Sequence, residues 1–411
     1  MAKGNPMIVG LDLGTTKIAT IVAEVDPESN LRVVGVGTSP SDGLRRGVVV
    51  NLDKTVQSIV KAVEEAELMA GVKVEAVYAG IAGDHIRSIN SKGVIAVSRQ
   101  GNEITKQDVE RVIEQAKAVA IPMDREIIHV IPQDFIVDDQ HGIRDPVGMS
   151  GVRLEAEVHI VTGAVTSAQN IYKSIERAGL RVIDLVLQPL ASSMAVLNDD
   201  ERELGTALLD VGGGTTDLAL FFEGSIRHTA VIGLGGNNVT NDIAIGLRTP
   251  AAQAENIKKK QGCALQSQVK QDEMVKVPGV GGREEREVSR QVLASIIEPR
   301  MEEIFSLAQR EIKRTDFADL LAAGVVLTGG TASMQGMAEL AEQIFNLPVR
   351  IGFPQGVGGL VDSVKDPIHA TGVGLVLYGF QEGEGGFTGV PEGKLFSRIL
   401  ERMKRWFGDF F

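Results

Sequence analysis

The stretch ALLDVGGGTTDLALF, Ala207 to Phe221, limits how this chain can fold more than any other. An apolar run ends in an acid, three glycines and two threonines follow, and a second acid opens another apolar run. That pattern reads as strand, tight turn, strand. A shorter version, IVGLDLGTTKIATIV, occupies Ile8 to Val22. Each copy puts one aspartate, Asp12 or Asp210, at the end of a buried strand and follows it with a Gly/Thr turn. Turn glycines leave backbone N–H groups open to an anionic oxygen, while the aspartate can hold a hydrated cation. Two such turns, 198 residues apart, predict a duplicated fold closing on one phosphate chain.

A chain of 411 residues is long for one domain and is expected to form two lobes, each with its own core. The net charge of −12 argues against a general nucleic-acid binder. A single cysteine, Cys263, excludes an intrachain disulfide and suits a reducing compartment. MAKGNPM is not expected to open a signal peptide, and no apolar run reaches the roughly 18 residues of a membrane span. The six histidines show no metal-ligand spacing.

Along the chain, MIVGLDL, IATIVAEV and RVVGVGT predict a meander, followed by a helix capped by Asp53 and stopped by Gly71. ITKQDVERVIEQAKAVA reads as a helix with Thr105 as cap and Asp108 in the capping-box position. With the strand candidates EIIHVIPQDFIV and RLEAEVHIVTG, it predicts an inserted small subdomain. Gln188 falls at the junction of the strand RVIDLVL and a helix opened by Pro189, the usual ligand position at the end of a parallel strand. Asn198 to Gly205 is expected to be a surface hinge. A long helix is expected over Arg290 to Lys313, kinked by Pro299, and GVVLTGG repeats the strand and glycine-turn design.

Gln381 to Gly393 holds five glycines in 13 residues and predicts a flexible tether. The segment after it carries Leu395, Phe396, Ile399, Leu400, Met403, Trp406, Phe407 and Phe410 at three- and four-residue steps. These define one face of an amphipathic helix, with Arg398, Arg402, Lys404 and Arg405 on the other. Such a helix suits an anionic membrane surface; the competing reading docks it on the protein's own lobes.

The phosphate turns, the Gln188 junction and the GVVLTGG turn resemble the actin, Hsp70 and sugar-kinase superfamily of ATP-binding proteins, over essentially residues 7 to 380. Within it the chain resembles the bacterial cell-division family FtsA, which has a differently placed small subdomain and a tethered terminal helix. The resemblance implies an α/β, two-lobed actin-like ATPase fold, that is, duplicated ribonuclease-H-like domains with an inserted small subdomain. It implies a first core subdomain at 1–83 and 163–197, the insert at 84–162, and a second core at 198–235 and 301–380. A small subdomain over the nucleotide is placed at 236–300, the linker at 381–393 and the helix at 394–411.

By the same resemblance, ATP is held by Gly14, Thr15, Thr16 and Lys17, by Gly212, Gly213, Gly214, Thr215 and Thr216, and by Gly236, Gly329 and Gly330. Glu255 and Lys258 contact the nucleoside, although at i and i+3 they also read as an ordinary ion pair. Asp12 and Asp210 act on Mg²⁺ through water, and Gln188 positions the attacking water. The implied partners are the C-terminal peptide of the tubulin-like FtsZ, other copies of the chain in head-to-tail filaments, anionic lipid and later divisome proteins, but no nucleic acid. The implied location is peripheral, on the cytoplasmic face of the bacterial inner membrane at the division site. Arg286 and Arg290 are candidate contacts for the acidic peptide, and also read as solvated helix charges.

No carboxylate stands at the Gln188 junction and no segment supplies an additional catalytic lysine, so ATP turnover is expected to be slow at most. The alternatives are a chaperone-type ATPase, a small-molecule kinase, and a PilM-like pilus-assembly scaffold of the same fold.

Overall fold

The computed structural model describes residues 5–97, 102–281 and 283–383. Two sheets of like design carry the fold. In the first, Met7–Leu13 pairs antiparallel with Lys17–Val25, which pairs antiparallel with Leu31–Pro40. On its other side Met7–Leu13 runs parallel to Ala76–Ile81, and that strand parallel to Arg181–Leu187. The second sheet repeats this order and these directions. Thr206–Val211 is central, with Thr216–Phe222 and Ser225–Ile232 antiparallel on one side and Gly324–Thr328 and Val349–Ile351 parallel on the other. Both central strands are almost wholly buried, which is why they read as continuous apolar runs rather than alternating ones.

Helices cover the faces. Leu52–Ala70 lies directly on Leu31–Pro40, where a Cβ on Gly37 would fall 1.9 Å from the Ala62 carbonyl oxygen. Glycine is therefore required for this helix to approach. Asn51, not Asp53, caps the helix: its side chain accepts from the Lys54 N–H, and Asp53 lies inside the first turn. Gly71 ends it in the left-handed conformation, as expected. Two further helices, Gln188–Val196 and Ala370–Gly383, pack on each other between the sheets. Side chains of both (Ala195, Val196, Val373, Val376) share one core with Ile21 of the first sheet and Leu208 and Phe221 of the second.

Residues 84–164 contain a four-stranded antiparallel sheet, Arg87–Ala96, Arg125–Val137, Gln140–Ile143 and Arg153–Ala164, with the helix Lys106–Lys117 upon it. This unit has its own core, including Val112, Phe135 and Leu154. The Asp108 carboxylate accepts the Thr105 N–H at 3.0 Å, completing the expected capping box.

Other boundaries differ from the sequence reading. Asn198 to Gly205 is not an open hinge: Asp199–Leu204 is a short helix, capped by Asn198 and Glu201 reciprocally, and Glu201 also pairs with Arg350 at 2.5 Å. The chain does not stay in the second lobe to residue 380. Gly358–Gly359 pairs with Leu31–Pro40 of the first sheet, and Ala370–Gly383 packs on Met7–Leu13. Because that helix runs to Gly383, the first residues assigned to the 381–393 linker belong to it. The rest of the linker and the amphipathic segment 394–411 lie outside the described residues. Arg290–Ile312 is one helix through Pro299, preceded by a hairpin of Met274–Val277 and Arg286–Ser289 that the glycine-rich sequence conceals.

Candidate functional site

Each central strand carries its aspartate one residue before its end, and the two Gly/Thr turns meet tip to tip across the cleft between the lobes. A Cβ on Gly213 would stand 1.9 Å from Thr16 Oγ1, and one on Gly214 would stand 2.7 Å from Thr15 Oγ1. A side chain at either glycine would crowd these threonines, which would have to turn aside. The second turn is closed by the Gly212 N–H donating to the Thr215 carbonyl at 3.0 Å. It is backed by the Gly236 and Asn237 N–H groups, which donate to Gly212 and Gly213. Gly329, at φ 86°, passes so close that a Cβ would meet Asp210 Oδ1 at 2.4 Å.

The cleft wall brings together Asp12, Gly14, Thr15, Thr16, Lys17, Gln188, Asp210, Gly212, Gly213, Gly214, Thr215, Glu255, Lys258, Gly329 and Gly330. Thr216 is not on it: its hydroxyl is buried beneath the turn and donates to the Leu234 carbonyl. Gly236 lies just behind the wall and receives Lys258 Nζ on its carbonyl at 2.9 Å. Gln188 Nε2 donates to Asp12 Oδ1 at 3.3 Å, over Gly80, whose missing side chain makes room for the amide. Glu255 and Lys258 form a 2.7 Å ion pair, one of the two readings of that spacing, and both line the cleft. Burial alone would raise the Glu255 carboxyl, but Lys258 and the Thr240 hydroxyl bring it below its usual range; Lys258 is itself lowered by burial.

Sequence reasoning missed Asp217. It stands directly across from Asp210 on the neighbouring strand, accepts the Thr215 hydroxyl at 3.0 Å, and leaves Oδ1 buried without a partner. Its signal was the second acid of the organising stretch. Burial and then the Asp210 charge push its carboxyl up to about 8. Burial likewise lifts Asp12 to about 7 and Asp210 to about 6. Three buried acids, one with an orphaned oxygen, line the cleft; burial disfavours their charged forms, and a hydrated cation beside them would favour ionisation. Among the described residues no three acids, histidines or cysteines are grouped to ligate a metal directly. Asn237, Lys259, Thr331, Ile368 and Thr371 also line the cleft and were not anticipated.

The two candidate peptide arginines lie elsewhere. Arg290 is committed internally, to Glu273 at 2.5 Å, to Gln335 and to the Gln261 carbonyl. Arg286 is exposed, with one contact to the Leu247 carbonyl.

Duplicated sheets, paired Gly/Thr turns and a cleft between them define an actin-like protein of the ATPase-fold superfamily. Solved structures share that architecture at low identity. The PilM–PilN type IV pilus biogenesis complex aligns with a TM-score of 0.65 at 15% identity, covering 91% of this chain and 98% of that one. MreB5 of Spiroplasma citri bound to ADP aligns at 0.57 and 15%, covering 92% and 99%. The particular family is set by sequence. The model of cell division protein FtsA matches residues 207–374, and that of the SHS2 domain inserted in FtsA matches 83–162. The FtsA of Pseudomonas aeruginosa is 52% identical over 410 residues, covering 98% of each chain. That of Escherichia coli K12 is 44% identical over 385, covering 92% of this chain and 91% of its own. The chain belongs to the FtsA family of cell-division proteins.

Proposed function

We propose that this actin-like cell-division protein binds ATP with Mg²⁺ in the cleft and that the bound nucleotide favours a closed, head-to-tail assembling form. In that form it anchors FtsZ filaments to the inner face of the cytoplasmic membrane and gathers later divisome proteins. The observation that carries the nucleotide reading is the meeting of the two glycine turns over Asp12, Asp210 and Asp217. Backbone N–H groups of Gly14–Thr16 and Gly213–Thr215 would donate to phosphate oxygens, and Glu255 and Lys258 would face the nucleoside. The cation, when bound, neutralises phosphate charge; Asp12, Asp210 and Asp217 would hold its water shell. Gln188, held by Asp12, would orient a water but is too weak a base to remove its proton, so turnover is slow.

Family membership supports the cell-division role over the chaperone, kinase and pilus alternatives. Among the described residues no helix is long and apolar enough to cross a membrane. Membrane attachment in this reading rests on the sequence of 394–411, where apolar burial and basic side chains act together. The FtsZ peptide is assigned to the small subdomain over the nucleotide, with the exposed Arg286 as the better-placed cation. Sedimentation of the full chain with anionic vesicles and FtsZ, in ATP whose hydrolysis is blocked, tests the proposal. Expected is co-pelleting of all three components, lost on deleting 395–411 or on Trp406→Glu. Pelleting indifferent to both changes would overturn the anchor, and assembly that required hydrolysis would overturn the nucleotide role.

A further inference from the structure

Arg46 sits at the tip of a two-residue hairpin joining the short strands Leu44–Arg45 and Val48–Val49. Both tip residues have left-handed backbone, Arg46 at φ 50° and Gly47 at φ 75°. The tightest hairpin turn demands this, and the usual first occupant is Asn, Asp or Gly rather than a long side chain. The second lobe has a matching tip, Glu223–Gly224, at φ 53° and 72°. There the unusual residue has an internal partner: Glu223 pairs with Arg227 at 2.7 Å. Arg46 has none. It is exposed, and its guanidinium makes no hydrogen bond or ion pair with the described residues.

The hairpin is fixed to the cleft. The Gly47 N–H donates to Thr15 Oγ1 at 3.2 Å, tying the tip to the first phosphate turn, and Gly47 lines the cleft wall. From there the Arg46 side chain reaches the opposite lobe, with Cδ and Nη1 each 3.9 Å from where a Cβ on Gly233 would stand. Two residues further on, Gly235 presses on the second turn, its own Cβ position 2.7 Å from the Gly212 carbonyl oxygen. The cleft's lysines are engaged by comparison. Lys17 Nζ contacts the Ile368 carbonyl at 3.2 Å and His369 Nδ1 at 3.3 Å, and Lys258 is paired with Glu255.

Resting on the reading that the cleft holds ATP, we infer that Arg46, already poised between the two lobes, closes over the outermost phosphate when a triphosphate is present. A guanidinium presents a fork of donors suited to phosphate oxygens, and the hairpin geometry holds its root in place before the ligand arrives. A diphosphate leaves the fork without its partner. Arg46 thereby makes lobe closure respond to the terminal phosphate.

The test is titration of the full-length chain with Mg²⁺ and either ADP or an ATP analogue with a non-hydrolysable terminal bond. Wild type, Arg46→Ala, Arg46→Lys and Arg46→Gly are compared. Arg46→Ala and Arg46→Gly should lose at least about tenfold in affinity for the triphosphate, the size of one lost charge-assisted hydrogen bond, and keep ADP affinity within about twofold. Arg46→Lys should fall between. Glycine also relaxes the left-handed backbone, so its loss cannot come from strain at the hairpin. An unchanged ratio of triphosphate to diphosphate affinity in Arg46→Ala would overturn the inference, as would equal losses for both nucleotides. A wild-type chain that bound neither would instead overturn the ATP reading itself.

Discussion

His159 Nε2 lies 2.9 Å from Thr229 Oγ1, and through this contact the inserted subdomain is joined to the edge strand of the second lobe. The ring's other nitrogen, Nδ1, is 2.7 Å from Asn90 Oδ1. A neutral imidazole satisfies both neighbours, one as donor and one as acceptor; an imidazolium cannot accept the Thr229 hydroxyl.

Stability should therefore fall on acidification. Burial, and then the nearby His228 and His129, hold His159 down to about 3, against an ordinary value of 6.5. The unfolded chain takes up this proton below pH 6.5 while the folded chain does not, so stability is lost as pH falls from 6.5 towards 3. The slope approaches about 1.4 kcal/mol per pH unit from this residue. Urea midpoints at pH 7.5 and 5.5 should show a smaller acid loss in His159→Gln than in wild type; an equal loss would assign the effect to other groups.

Closure of the cleft should depend on Gly213. A Cβ there collides with Thr16 Oγ1, so Gly213→Ala should hold the two turns apart. Overpacking of this kind costs about 1–3 kcal/mol where it must be accommodated. Nucleotide affinity should drop about tenfold or more with unchanged far-UV circular dichroism, and wild-type affinity would show that the turns need not touch.

The helices between the lobes make a stricter demand. A Cβ on Gly374 would stand 1.8 Å from the Ala191 carbonyl oxygen, a backbone atom that has no rotamer to change. Gly374→Ala should cost about 3 kcal/mol or more. Gly71→Ala, with open space around it but φ at 69°, should cost about 1 kcal/mol. Similar urea midpoints for the two variants would contradict this ranking.

Gln188→Ala separates binding from turnover. The side chain touches Asp12 and belongs to neither glycine turn, so on the proposed role ATP affinity should stay within about twofold while hydrolysis falls about 10- to 100-fold. Equal turnover in the two proteins, followed as phosphate release, would remove Gln188 from water positioning.

Much of this was legible in the chain, and for a physical reason. Asp12 and Asp210 sit where a buried apolar run breaks into glycine, and strand burial and turn chemistry are both local properties. Thr105 and Asp108 were readable in the same way, because a capping box is confined to one helical turn. Asp217 was not. Its importance comes from standing opposite Asp210 in the paired register, whereas the matching partner of Asp12 in the first hairpin is Ala19. Asn198 to Gly205 looked like a loop because it is acidic and polar all round; Asn198, Glu201 and Arg350 make it a helix through contacts 3 and 149 residues apart in sequence. Arg46 was hidden as well, since its left-handed backbone and its reach towards Gly233 appear only when both lobes are in place.

The return of Gly358–Gly359 and Ala370–Gly383 to the first sheet has a mechanical consequence. Chain passes from one lobe to the other at Gln188–Val196 and back again after Ile351, so the halves are stitched by two threads lying side by side. A body held by one thread can swivel in any direction, but two threads leave it a single axis, like a door on its pins. Any relative motion of the two halves is therefore confined to that one hinge.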